Sequence, residues 1–225
     1  MNRKQIVMGL VVLAIAVLGV AAWFVFGPSP DEASPLPAPS AALQVQLTAY
    51  DRSLGSPHAP IQVVEYAAPS CPFCAHFDMT LFPQLKRKYV DTGKVYYVLR
   101  VFPLSPADIG AEAIARCLPK DSYFQFIDLL WRNQDKWDPE NGIQDVHAGL
   151  VQVGGMAGLS SAKVDACIAD TAEAERASQV GDDAQTKYGI HSVPTFIVNG
   201  EMHTNFTDWQ SLHEFLDSKL AKVGH

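Results

Sequence analysis

Four cysteines, at positions 71, 74, 117 and 167, are the residues of this 225-residue chain best suited to chemistry. Two of them form Cys71-Pro72-Phe73-Cys74, a C-x-x-C between an apolar, β-branched run and an amphipathic one. At the mouth of a helix, unpaired amides and the positive end of the macrodipole stabilise a thiolate on the first sulfur. The second sulfur, one turn in, is shielded by the helix and the sheet beneath it. An exposed sulfur of low pKa beside a less accessible one suits thiol–disulfide exchange, because the first leaves readily and the second resolves a mixed disulfide. The same spacing also fits half of a metal site or a structural bridge. Zinc is opposed by the lack of a second C-x-x-C or an H-x-x-x-H, with His76 two residues on, and haem attachment by Ala75 where a histidine is required. Seven scattered histidines make no i, i+4 pair, and Gly154-Gly155 follows no strand that would present a phosphate cradle.

Two further residues bear on the pair. Glu65 lies six positions before Cys71 in Ile61-Gln62-Val63-Val64-Glu65-Tyr66, where alternation gives it the face of Val63, pointing inward beneath the helix. A water-facing carboxylate on an edge strand is the other reading. Far downstream, Ser192-Val193-Pro194-Thr195-Phe196-Ile197-Val198 opens a strand with a proline, a position that an ordinary trans proline also occupies.

The elements that must position these residues follow from periodicity. The run 61–66 is a buried strand closed by the turn chemistry of Ala67-Ala68-Pro69-Ser70. From Pro72 to about Tyr89, apolar residues at Phe73, Phe77, Leu81, Leu85 and Tyr89 recur every four positions, which predicts a helix. Pro72 suits its first turn, and Pro83 must kink or divide it. Lys94–Phe102 is a second strand. The next comes only at Thr195–Val198, followed by an Asn199-Gly200 turn and an amphipathic helix through Trp209, Leu212, Leu216 and Leu220. The roughly ninety residues between look helical nearly throughout, far more than a βαβ unit of ~30 residues needs. An α/β layer carrying an inserted all-helical subdomain, at about 104–188, is expected.

Ahead of this body, Arg3 and Lys4 precede 21 uncharged, mostly aliphatic positions, Ile6–Phe26. At 1.5 Å per residue that run spans a hydrocarbon core of ~30 Å and exceeds the ~7–15 residues of a secretory h-region. The expected organisation is a cytoplasmic stub at 1–5, a transmembrane anchor at 6–26, a Pro-rich linker at 27–45 and the folded body at 46–222. Val20-Ala21-Ala22 also resembles a cleavage site, and either reading exports the body. In an exported chain an even number of cysteines permits disulfides, and four allow three pairings. Hydrophobic residues at 48% against 18% charged exclude a disordered chain, and a net charge of −7 offers no footprint for nucleic acid.

The strand, the inward acid, the C-P-x-C at a helix start and the Val-Pro-Thr-Phe strand together resemble the thioredoxin superfamily. With the helical insertion, residues 58 to 222 are similar to the DsbA-type oxidoreductases of the bacterial periplasm. Arg100-Val101-Phe102-Pro103-Leu104, Gln134 with Trp137, and the extra cysteine pair resemble its membrane-anchored or α-proteobacterial-like branch. The resemblance implies a thioredoxin-like fold behind an N-terminal transmembrane helix, and a protein disulfide oxidoreductase that uses Cys71 and Cys74, without cofactor or metal, on exported polypeptides bearing thiols. Glu65 would handle the proton of Cys74. Pro194 would be cis and packed against the pair, the Val193 backbone would accept a client peptide as an added strand, and Phe73 would add apolar surface. Cys117 and Cys167 would pair as a structural disulfide, two buried apolar thiols being the alternative. Reoxidation would fall to a quinone-linked membrane partner of the DsbB type, and a monomer is expected. One departure stands out: DsbA proteins often carry His where this chain has Phe73, so the site should be less oxidising than the strongest members. Other functions to weigh are a reductase or isomerase serving cytochrome or metal-centre assembly, and a copper or zinc chaperone using Cys71 and Cys74 as soft ligands.

Overall fold

The computed structural model describes residues 43–204 and 206–223. The stub, the anchor at 6–26 and nearly all of the linker lie outside the described residues. Among the described residues, no helix is long and apolar enough to cross a membrane. The chain is already against the domain at Leu43, whose N–H donates to the Gly200 carbonyl at 2.8 Å.

Five strands form one sheet: β1 (Arg52–Leu54), β2 (Ile61–Ala67), β3 (Val95–Val101), β4 (Thr195–Val198) and β5 (Glu201–Thr204), in the order β1-β3-β2-β4-β5. The β2 and β3 strands run parallel, with Glu65 opposite Leu99, and every other pairing is antiparallel. The edge strands β1 and β5 were not expected from the sequence. Both are short and of mixed polarity, so neither shows the alternation that marks a half-buried strand.

The first helix forms much as its residues dictate. Cys71 is the N-cap of α1 (Pro72–Thr80) and Pro72 takes the first turn, where its missing N–H costs nothing. Pro83 lacks the N–H needed to continue the ladder, so the predicted helix is divided. It restarts as α2 (Phe82–Leu85) and closes in one wide turn at Lys86–Val90. Phe77, Leu81, Leu85 and Tyr89 are buried as the four-residue spacing requires. Phe73 departs from that stripe and stands 70% exposed.

Between β3 and β4 lie α3 (Pro106–Cys117), α4 (Tyr123–Arg132), α5 (Gln134–Trp137), α6 (Val146–Met156), α7 (Ser161–Ile168) and α8 (Thr171–Tyr188). The last helix, α9 (Trp209–Val223), follows β5. Strand alternation sends Ile61, Val63, Glu65 and Ala67 to the face covered by α1, the insertion and α9. Val64 and Tyr66 go to the opposite face, beneath Ala184 and Tyr188 of α8 and Leu43. On the α1 side Phe77 meets Phe196 of β4 with ring centroids 4.7 Å apart. Burying one such side chain stabilises the fold by roughly 1.5–3 kcal/mol, which anchors the base of α1 over the sheet. At α8, Gly189 adopts φ +68° and lets the last turn close through Ile190 N–H to the Ala184 carbonyl, after which the chain turns toward Pro194.

Candidate active site

Cys71 and Cys74 are free thiols at the mouth of α1. The cap geometry hooks the Cys71 Sγ over its own helix, where it accepts the Cys74 N–H at 3.1 Å. The Cys71 thiol pKa is lowered, first by the hydrogen bond from the Cys74 thiol and then by the amides of Cys74 and Phe73, against the opposing cost of burial. The Cys74 thiol is pushed well up, by burial first and then by the Cys71 sulfur and the Glu65 charge. The pair is therefore polarised: the thiolate is favoured at the helix mouth and disfavoured at the inner sulfur.

The sequence suggested an exposed first sulfur, yet Cys71 is only 3% exposed. The cap turns its sulfur inward, and the Val193 carbonyl faces it at 3.7 Å from across the site. The peptide bond between Val193 and Pro194 is cis, Pro194 is buried and Val193 is half-buried. Phe73, the second residue of α1, is the large apolar side chain left open beside them.

Glu65 is completely buried on the α1 face of β2. Tyr97 of β3 donates its hydroxyl to Glu65 Oε2, while Oε1 is buried without a partner. Burial raises the Glu65 pKa to about 8, with the Tyr97 bond opposing and the Asp78 and Cys71 charges adding to it. At neutral pH this carboxyl holds a proton beneath an inner thiol that must gain one whenever the disulfide opens.

The loop entering Cys71 is gripped by the insertion. Trp131 Nε1 donates to the Ala68 carbonyl at 3.0 Å, and Gln134 Nε2 to the Pro69 carbonyl at 2.8 Å. Asp108, buried in the first turn of α3, accepts the Ser70 N–H at 2.8 Å and the Ser70 hydroxyl at 2.9 Å. The same carboxylate accepts the Leu104 N–H at 2.9 Å and the Ser105 N–H at 3.1 Å. Burial raises the Asp108 pKa despite these bonds, and its charge opposes the Cys71 thiolate. Sequence reasoning missed Asp108, Tyr97 and Asp78. The capping pattern Ser105-Pro106-Ala107-Asp108 could have marked Asp108 as a helix start, though not its bond to a residue 38 positions away.

Away from this cluster, the structure joins Cys117 at the end of α3 to Cys167 in α7 by a disulfide. Trp131 and Trp137 are both core residues of the insertion. Among the described residues, no three histidine, cysteine or acidic side chains converge on a point where a metal could sit.

A thioredoxin-type sheet, a helix capped by the first cysteine of a C-P-F-C and a facing cis proline define a class, and comparison with known proteins agrees with it. The family model described as thioredoxin matches residues 47–218. A Rickettsia bellii protein provisionally named a protein-disulfide oxidoreductase is 33% identical over 158 residues, 70% of this chain, a match spanning 60% of that relative's length. A Bacillus cereus protein provisionally named disulfide bond formation protein D is 29% identical over 98% of this chain and 99% of its own. Among solved structures, alpha-DsbA1 of Wolbachia pipientis superposes with a TM-score of 0.71 at 26% identity, covering 79% of this chain and 94% of that one. BdbD of Bacillus subtilis, at 21% identity and a TM-score of 0.66, shares the fold over 80% of this chain and 98% of its own. The chain belongs to the thioredoxin family and is DsbA-like within it.

Proposed function

We propose that this chain is a thiol:disulfide oxidoreductase that introduces disulfides into exported polypeptides. The observation that carries this reading is the polarised pair, an amide-bonded Cys71 sulfur beside a buried, proton-holding Cys74 over the neutral Glu65 carboxyl. In the oxidised protein a client thiolate attacks the Cys71 sulfur, and the Cys71–Cys74 bond breaks with its electron pair leaving on Cys74. The Glu65 carboxyl gives that sulfur a proton. A second client thiolate then attacks the client sulfur of the mixed disulfide, and Cys71 leaves as a thiolate stabilised by the helix amides. The client gains a disulfide and loses two electrons, which the cysteine pair holds.

The Val193 backbone serves as the edge against which an extended client segment lies, with Phe73 as adjoining apolar surface. Cys117 and Cys167 act as a staple and carry no electrons. A quinone-linked membrane partner of the DsbB type restores the Cys71–Cys74 bond, and residues 6–26 anchor the body outside the cytoplasm, as a monomer. Mixing oxidised full-length protein with a reduced, unfolded client at equal concentration tests the reading. Client disulfides should appear as Cys71 and Cys74 become alkylatable, and Cys71→Ser and Cys74→Ser, neither of which can form the bond, should each abolish the transfer. Undiminished transfer by Cys71→Ser overturns the proposal.

A further inference from the structure

The insertion carries a cleft of about 390 Å³ between α3, α6, α7 and the turn at Pro139. Ala107 and Gly110 of α3, Val146 and Leu150 of α6, Ile168 of α7 and Pro139 form its apolar walls. Gly110 is buried at the floor, where an added Cβ would stand 3.4 Å from Leu150 Cδ1 and 4.0 Å from Ile168 Cγ1. His147, the titratable side chain among these lining residues, is paired at the exposed rim with Asp165, Nε2 to Oδ1 at 2.7 Å. The walls therefore offer a phosphate, a carboxylate or a metal ion no free charge, and suit an apolar side chain.

The cleft adjoins the cysteine pair. Ser105 at its edge and Ser70, the residue before Cys71, donate their N–H groups to the same carboxylate, Asp108, at 3.1 Å and 2.8 Å. Leu104, whose N–H donates to that carboxylate as well, is 55% exposed. Topology sets the cleft and Val193 on opposite flanks of Cys71. The cleft's α3 follows β3, Val193 precedes β4, and β3 and β4 pair with opposite edges of β2, the strand that leads to Cys71. No residue of α1, β4 or the cis-proline turn lines it. Two amides on one carboxylate are close neighbours, so about two to four residues of extended chain, at ~3.3 Å each, reach from Cys71 into the cleft.

We infer that this cleft is a client subsite, taking a large aliphatic or aromatic side chain carried about two to four residues from the cysteine that attacks Cys71, on the flank away from Val193. The inference rests on the disulfide-exchange reading above and gives that site a sequence preference. While the client thiolate attacks Cys71, the segment beyond it crosses Leu104 and sets its apolar side chain between α3 and α6. Apolar surface at the walls and at Leu104 is then removed from water, which favours the encounter and the mixed disulfide alike. Unfolded polypeptides present such side chains and folded ones bury them, so the cleft selects clients that have not yet folded.

The test uses short peptides with a single cysteine to reduce the Cys71–Cys74 bond of the oxidised full-length protein, two peptides becoming one peptide disulfide for each bond opened. Leu or Phe placed two to four positions from the cysteine, on one flank, should raise the second-order rate roughly ten-fold or more over Ser at the same position, as expected for burying one such side chain. Val146→Glu puts a charge in the cleft from the first turn of α6, where a helix accepts an acid, and should bring that ratio close to one. Gly110→Ala, a change a helix favours, raises the floor by a methyl group and should lower the Phe-to-Ser ratio more than the Val-to-Ser ratio. Ratios are taken within each variant, so a general change in activity cancels. Equal rates for Leu, Phe and Ser at every position in the wild type overturn the subsite, as does a preference that survives Val146→Glu, or a wild-type dimer that Val146→Glu dissociates. In each of these cases reduction by peptide thiols, and with it the exchange reading, stands. A wild-type bond that neither the peptides nor glutathione reduces removes that reading itself.

Discussion

At Cys71 two effects compete. Its near-complete burial disfavours a thiolate, while the Cys74 thiol and the amides of Cys74 and Phe73 donate to it, and the donors prevail. Phe73 contributes no charge to that balance, although it stands open beside the sulfur. Phe73→His would place a titratable cation there. Each unit by which it lowers the Cys71 pKa stabilises the reduced form by ~1.4 kcal/mol and raises the reduction potential by roughly 30 mV. A glutathione titration of the variant checks this, and an unchanged or lower potential refutes it. Glu65 makes a prediction of the opposite kind. Its folded pKa of about 8 lies above the ordinary 4.5, so the folded state holds a proton that the unfolded chain gives up. The favourable state of Glu65 is therefore complete below about pH 4.5, and stability falls by ~1.4 kcal/mol per unit as pH rises toward 8. Glu65→Gln removes this slope and should stabilise the protein by about 3 kcal/mol at pH 7 in urea unfolding, while slowing release of Cys74. A variant no more stable than wild type at pH 7 shows that the carboxyl is not held neutral.

At the scale of elements, the site depends on contacts between segments far apart in sequence. The insertion holds Ala68, Pro69 and Ser70 through Trp131, Gln134 and Asp108, and so fixes where α1 begins. Asp108→Asn presents an amide to donors that need an acceptor, and should cost about 1–3 kcal/mol while removing a charge that opposes the Cys71 thiolate. Thiolate absorbance should then titrate at lower pH than in wild type, and a rise in the Cys71 pKa would contradict this. The disulfide between Cys117 and Cys167, 50 residues apart, ties α3 to α7. Replacing both by serine should lower unfolding stability by about 2–5 kcal/mol and leave Cys71 alkylation rates unchanged. An unaltered urea midpoint would end its role as a staple. These contacts also explain what the sequence made legible. The α1 start, the inward side of Glu65 and the division at Pro83 follow from capping, alternation and proline geometry, all set within a few residues. The cover over Cys71 comes from Val193, 122 positions away, and the partner of Glu65 comes from Tyr97, 32 away. No local pattern carries such distances. Phe73 departs from the four-residue stripe in the first turn of α1, where it stands exposed.

At the scale of the whole molecule, a five-stranded sheet buries Glu65 between its own surface and α1, and the helical insertion closes the side of the site that the sheet leaves open. The parallel β2–β3 pairing is what brings Tyr97 alongside Glu65, since it sets Val63 opposite Tyr97 and Glu65 opposite Leu99. The net charge of −7 gives no attraction for polyanions, and in the function proposed above clients are engaged by apolar and backbone contacts around Phe73 and Val193. In the proposed function this architecture serves one equilibrium, the exchange of two electrons between Cys71–Cys74 and thiols outside. Its reduction potential, measured on the full-length protein against glutathione buffers with alkylation of Cys71 as readout, tests the account most directly. A stabilised Cys71 thiolate predicts an oxidising couple, at about −180 mV or above, able to draw electrons from client thiols. A value at or below about −270 mV, where the pair would give electrons to clients, contradicts it.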